Sequence, residues 1–315
     1  MLKFAIRSAA ALTLAVLVAV AVGGAMSAAS QPPLRGRMID IGGRSLHLVC
    51  SGPPGDAPTV LFESGAFGLS ADWGAVQAGL TEHGVRSCAY DRAGLGRSDP
   101  GPAPRDGLAI VSDLEALLAR AGEPGPYILV GHSMGGLHVR LFTARNPEQV
   151  RGVVLVDAPT AEATDHPLVR RFVGGFAEAS RWAARGASLG LFKPLAPAMG
   201  DRIGLPPQAA ADKRRAFASG VHNRWSAREV ALWTSSAQQA AAAGTYDPAV
   251  PVAVVTAGPV HGRAEAWKAM QAGPARASRH GYVHNIEAAG HATMLGTAHA
   301  QEIVKAILFV REKAA

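Results

Sequence analysis

The sequence predicts an α/β architecture: a mostly parallel, eight-stranded sheet with helices on both faces and a helical lid inserted after the sixth strand. Three observations predict it. Short runs rich in Val, Leu and Ile alternate with segments of helical period. One run, Tyr127–Val130, enters a helix through the abrupt turn Gly131-His-Ser-Met-Gly135. The alternation lapses across residues 160–247, where apolar residues are scattered among Ala and Arg, and then resumes.

Taken in order, Met38 to Val49 reads as a β-hairpin turning at Gly42-Gly43. Ser51 to Pro58 is loop, by its Gly and Pro content. Thr59–Glu63 is a buried strand, and Ser64-Gly-Ala-Phe-Gly68 is a turn at its carboxyl end. Asp72 to Thr81 predicts a helix with Trp73, Val76 and Leu80 on one face. Val85–Tyr90 is a strand that runs into Asp91-Arg-Ala-Gly-Leu-Gly-Arg-Ser98, expected to be a turn shaping a pocket floor. Residues 107–121 repeat Leu and Val at helical spacing. The elbow strand and its helix follow, then the buried strand Val153–Asp157. After residues 160–247, Val250–Thr256 and Val283–Ala288 are the last strands, and Ala300–Phe309 is a final amphipathic helix. Ligands bind at the carboxyl edge of such sheets, so the helical segment is expected to cover that edge. The domain reading is therefore a core over residues 38–158 and 249–315, with the lid over 159–248.

Residues 1–29 stand apart. Lys3 and Arg7 precede an apolar run from Ala9 to Val22 and a small-residue stretch ending at Ala29. That order describes a secretory signal peptide, cleaved after Ser27 or Ala29. Retained, the same stretch is an N-terminal membrane anchor. Either reading exports the chain, and membrane contact is expected only if the segment stays. The net charge of +7 is concentrated in residues 160–247, which hold 11 Lys/Arg against 7 Asp/Glu. A solvated helical face is one account of this, and attraction to anionic surfaces or substrates is the other. No zinc spacing, aromatic RNA-binding signature or basic heptad helix points to nucleic acid. Cys50 and Cys88 are the only cysteines and each falls in a predicted strand. They are either a disulfide or two small buried side chains.

Gly-x-Ser-x-Gly between strand and helix is the form of a nucleophile elbow. It lifts a serine hydroxyl above the sheet edge on a strained backbone, with the positive end of the helix facing it. Ser133 is the candidate nucleophile. Glycines two residues to either side avoid β-carbons where strand, helix and turn crowd together.

Across residues 38–312 the chain resembles the α/β-hydrolase superfamily. Leu61-Phe-Glu-Ser-Gly-Ala-Phe-Gly68, Asp91 to Ser98, Gly131-His-Ser-Met-Gly135 and Ala289-Gly-His-Ala-Thr-Met-Leu295 carry the resemblance, in that order. It implies a serine hydrolase, cleaving an ester or amide through an acyl-enzyme, with no cofactor and no metal. It implies His291 as the base, from its Gly-His loop after the last strand. His132 is expected to turn away from the site and His138 to be packing or solvent. The superfamily's usual acid position, just past the strand ending at Thr256, holds no carboxylate in Ala257 to Ala264. Some members carry the acid after the preceding strand, where Asp157 stands. Glu265 is the alternative, and Glu287, expected inside a strand, is a poor one. The oxyanion donors implied are the N–H groups of Met134 and Ala66, with Ser64 in place of the superfamily's histidine. The implied strand order sets Cys50 and Cys88 on antiparallel neighbours, so a cross-strand disulfide is feasible. Aminopeptidase, C–C hydrolase and acyltransferase relatives share the triad, and a non-catalytic ligand-binding member is the alternative of another class.

Overall fold

The computed structural model describes residues 14, 18, 20–24 and 32–314. The cleavage sites expected after Ser27 or Ala29 lie outside the described residues. No helix among the described residues is long and apolar enough to cross a membrane.

Eight strands form one sheet: β1 Arg37–Asp40, β2 Ser45–Ser51, β3 Thr59–Glu63, β4 Ser87–Tyr90, β5 Tyr127–His132, β6 Val150–Val156, β7 Val252–Ala257 and β8 Gly281–Ile286. Their spatial order is β1-β2-β4-β3-β5-β6-β7-β8, with β2 antiparallel to both neighbours and every later pair parallel. The central strands β3 and β5 are buried along their whole length because helices cover both faces. One face packs α1 (Gly74–Glu82) and the last helix, through Val76, Leu80, Ile303 and Ile307. The other packs α2 (Gly107–Ala121) and α3 (Gly135–Arg145), through Leu114, Leu117, Leu137 and Phe142. Asp106 caps α2, its side chain accepting from Ala109 N, and Gly122 ends that helix in the left-handed region.

Between β6 and β7 the chain forms four longer helices, α4 Pro167–Ser188, α5 Pro207–Ala218, α6 Gly220–Ala231 and α7 Trp233–Ala242. No strand falls among them. Beyond β7 come α8 (Arg263–Gln271) and, after β8, α9 (Ala300–Lys313).

Boundaries moved where the local pattern was ambiguous. The strand expected from Val85 begins at Ser87, because Val85 is still closing the turn after α1 with its N–H donating to Leu80 O at 3.0 Å. The last strand ends at Ile286, so Glu287 lies past it rather than inside it.

Cys50 and Cys88 face each other across β2 and β4 and are joined by a disulfide. It closes a loop of 38 residues. Loop-closure entropy assigns such a link about 3–4 kcal/mol. The Cys50→Ala/Cys88→Ala variant is therefore expected to unfold at lower urea. An unchanged urea midpoint, with and without reductant, would contradict this.

Candidate active site

The elbow is built as its sequence requires. Ser133 follows β5 directly and takes φ +53°, in the left-handed region that a serine ordinarily avoids. Its N–H donates to Val156 O at 3.0 Å and its carbonyl accepts from Gly136 N at 3.0 Å, so the strain is held from both sides. A β-carbon on Gly135 would meet Glu63 O at 2.5 Å, and one on Gly65 would meet the Ser133 β-carbon at 2.8 Å. Glycine at these positions lets the turn after β3 lie against the elbow.

Among the described residues only three non-glycines have positive φ: Phe67, Ser133 and Asp157. Ser133 and Asp157 directly follow β5 and β6, and Phe67 lies in the turn after β3. Backbone strain at such places is held by surrounding structure and gathers at functional sites.

Asp157 ends β6. Its N–H donates to Val255 O at 2.7 Å. Its Oδ2 lies 2.6 Å from His291 Nδ1, and its Oδ1 accepts from Gln271 Nε2 at 3.1 Å. Burial pushes the Asp157 carboxyl up, but the His291 bond and charge and the Gln271 bond outweigh it, and the group ends below the usual carboxylate range. It is held as an anion beside the imidazole. Glu265 is exposed on α8 and does not reach the cavity wall. Of the two acids weighed for His291, the structure sets Asp157 against it.

His132 departs from expectation. Instead of turning away, its ring lies 4.6 Å from the ring of His291, centroid to centroid, and its Nε2 donates to His291 O at 2.9 Å. Burial, together with the nearby His291 charge, pushes His132 down to about 3, so it stays neutral. His132 thus braces the loop that carries His291. His138 is buried packing, its Nδ1 3.1 Å from Glu63 Oε1.

The turn after β3 carries Ala66. Ser64 Oγ accepts from Trp73 Nε1 at 3.0 Å and donates to Leu69 O at 3.2 Å, so this serine serves the turn's structure. Behind it lies Arg92, fully enclosed. Its guanidinium donates to Gly65 O at 2.8 Å and to the Ser64 carbonyl, and pairs with Glu63 at 2.7 Å and Glu229 at 2.9 Å. Burial alone would lower the Arg92 pKa; Glu229 and Glu63 more than reverse that. Glu63, whose Oε2 also accepts from Tyr90 Oη at 2.6 Å, is likewise kept ionised against burial by Arg92, His138 and Tyr90. The residues Asp91 to Ser98 do not line the cavity; Asp91 accepts from Ser70 N, at 2.8 Å, and Arg97 N, at 2.9 Å, and packs against His47 instead. This turn therefore shapes the cavity edge from behind, through Arg92 on the carbonyl of the wall residue Gly65, rather than by lining it.

A cavity of about 730 Å³ opens over this edge. Ala66, Ser133, Asp157 and His291 all line it, with Leu168, Phe172, Phe176, Ile203, Phe217 and Trp267 among the apolar residues of the remaining wall. Its size and apolar lining suit a small organic ligand. Within the wall, Lys213 Nζ bonds Asp72 Oδ2 at 2.8 Å and Phe67 O at 3.1 Å, clamping the strained turn from the helical insertion.

Gln271, His132, Arg92 and Lys213 were not candidates from sequence. Each acts through a tertiary contact, and only His132, inside the elbow motif, stood in a place that could have drawn notice.

Burial holds His132 and also His222 down to about 3. For each, the unfolded chain takes up a proton near pH 6.5 and the folded chain does not. Stability is then present above about pH 6.5 and lost as pH falls toward 3, by about 1.4 kcal/mol per unit for each group. The lowered carboxyls of Asp157 and Glu63 add loss in the same direction at lower pH; Asp72, raised by burial against the pull of Lys213, opposes it, as does His47, which burial pushes down but the Asp91 bond and charge raise, leaving the two lowered histidines to set the net direction. Thermal midpoints measured from pH 8 to pH 5 should fall, and His132→Gln should flatten the slope. A flat profile for the unsubstituted protein would overturn the assignment.

Comparison with known proteins agrees with this fold. The family model described as alpha/beta hydrolase fold matches residues 58–295. A Hormonema carpetanum protein named as a probable transporter is 39% identical over 130 residues, which is 39% of this chain and 18% of that protein. The chain thus spans less than a quarter of the length of the first curated relatives it matches. An epoxide hydrolase from Vigna radiata superposes with TM-score 0.66 at 18% identity, over 86% of this chain and 96% of that one. A thermophilic esterase from Thermogutta terrifontis gives TM-score 0.61 at 20% identity, over 86% and 95%.

Proposed function

The chain belongs to the α/β-hydrolase family, and from that premise we propose that it is an exported serine hydrolase that cleaves carboxylic esters through an acyl-enzyme. The observation that carries this reading is the His291 Nδ1 to Asp157 Oδ2 contact of 2.6 Å at the wall of the cavity that Ser133 enters. With Nδ1–H donated to the carboxylate, Nε2 is the free base.

Ser133 Oγ attacks the ester carbonyl carbon while its proton passes to His291 Nε2. The oxygen that becomes negative is met by the N–H groups of Ala66 and Met134, the latter at the entrance to α3. Arg92 and Lys213 hold the Ala66 turn so that its donor is placed before charge develops. The tetrahedral species then collapses. The carbon–oxygen bond to the leaving alcohol breaks, and His291 returns the proton to that oxygen. Water repeats the sequence on the acyl-serine, giving the carboxylic acid and free Ser133. Throughout, Asp157 steadies the imidazolium that forms twice.

Epoxide hydrolases share the fold, but their chemistry uses an aspartate at the elbow. Ser133 at that position favours ester cleavage. The disulfide supports export, since such links persist in oxidising compartments.

Labelling with a fluorophosphonate tests the reading directly. The protein should be modified at Ser133 and should turn over p-nitrophenyl esters, with the apolar cavity favouring medium acyl chains over acetate. A protein that neither labels nor hydrolyses any ester of the panel would be a ligand-binding member of the fold, and the proposal would fall.

A further inference from the structure

The long helix of the insertion, α4, shows an apolar stripe on its outer side. Leu168, Phe172 and Trp182 are each more than 60% exposed among the described residues, and Leu189, just past the helix end, is 71% exposed. Their spacing of four, ten and seven, with Gly175 and Ala179 between, puts them on one face. The helix's other face buries Val173, Ala177 and Ala184 against the rest of the insertion. An exposed row this long on a single helix exceeds the scattered apolar residues of an ordinary surface.

Charge says what could cover it. Along α4 stand Arg170, Arg171, Arg181 and Arg185, all exposed, against one acid, Glu178, which pairs with Arg181. A second copy of the same face would bring like charges together. A surface that is apolar beneath and anionic above fits both features at once.

Position adds to it. Leu168 and Phe172 belong at once to the exposed stripe and to the wall of the catalytic cavity. At its far end the stripe reaches the chain's own apolar amino-terminal segment. There Gly23 lies against the backbone of Pro194, so closely that a β-carbon would meet its nitrogen at 2.6 Å, and Val20 lies beside Gly190. Val18 and Val22 of that segment are exposed too.

We propose that the stripe of α4, flanked by its arginines, docks the protein on an anionic lipid surface, with the cavity mouth facing the acyl layer. Trp182 and Leu189 enter the boundary between headgroups and chains, and the arginines pair with phosphates. Substrate would then reach Ser133 from the lipid along Leu168 and Phe172. That last step rests on the serine-hydrolase reading; the docking itself does not.

The test uses the full chain and sedimentation with phosphatidylcholine vesicles, with and without phosphatidylglycerol. The unsubstituted protein should bind the phosphatidylglycerol vesicles much more tightly. Trp182→Asp/Leu189→Asp should weaken that binding by about ten-fold or more, and Arg181→Glu/Arg185→Glu by a similar factor. None of the four residues touches the cavity, so thermal midpoint and turnover of a short soluble ester should stay as they were. Equal binding by the variants would place any affinity in the amino-terminal segment and overturn the proposal. So would equal binding to neutral vesicles, or a stripe that on size-exclusion chromatography proves to join two copies. A protein that binds through the stripe yet fails to label at Ser133 would overturn the hydrolase reading alone.

Discussion

Ser133→Ala is expected to lower kcat/KM for ester hydrolysis by about four to six orders of magnitude while the protein stays folded. The backbone at this position is strained whichever of the two side chains it carries, because φ is +53° and both have a β-carbon. Stability should therefore change little. What disappears is the atom that attacks. The Ala66 and Met134 donors and the His291–Asp157 pair remain, so a small residual rate through directly activated water is allowed. Ester turnover and fluorophosphonate labelling, read together, check this. Retention of activity within ten-fold, or of label on another serine, would remove Ser133 from the chemistry.

Asp157→Asn is expected to cost about 10⁴ in kcat, and the local hydrogen bonds explain why so small a change costs so much. Gln271 Nε2 donates to Oδ1, and His291 faces Oδ2. An asparagine must keep an oxygen toward Gln271, which turns its NH₂ toward His291 Nδ1. That nitrogen can then only accept, so the imidazole proton shifts to Nε2. A protonated Nε2 cannot take the proton of Ser133. Glu265→Gln, on the exposed face of α8, should stay within two-fold of the unsubstituted rate. The reverse ranking of these two variants would show that the acid has been misassigned.

The parts legible in the sequence were those encoded over short distances. Strand, turn and helix around Ser133 follow from a run of ten residues. Asp157 was legible as the residue at the end of an apolar strand, and His291 as the histidine of a late Gly-His loop. The Cys50–Cys88 link depended on knowing that β2 and β4 are neighbours, which spacing alone does not say. Gln271 was not legible, because a glutamine late in a helix carries no local mark of its target 114 residues away. His132 was misjudged for a related reason. The elbow fixes the direction of Ser133, but where the preceding side chain rests depends on the loop bearing His291, which packs there from the far end of the chain. The Asp91–Ser98 turn was expected to shape the pocket floor; it acts from behind the wall, through Arg92 on the Ser64 and Gly65 carbonyls, a contact no local pattern announces.

The guanidinium shared by Glu63, Glu229 and the Ser64–Gly65 carbonyls makes the helical insertion and the core a single heritable unit. A transplanted insertion lacking an acid where Glu229 stands would leave the Arg92 Nε–H, which donates to Glu229 Oε2 at 3.0 Å, without its acceptor in the interior, beside the turn on which the oxyanion donor rides. Reshaping this chain's substrate range by module exchange is thus limited to donors that bring their own carboxylate to that spot, whatever else they change.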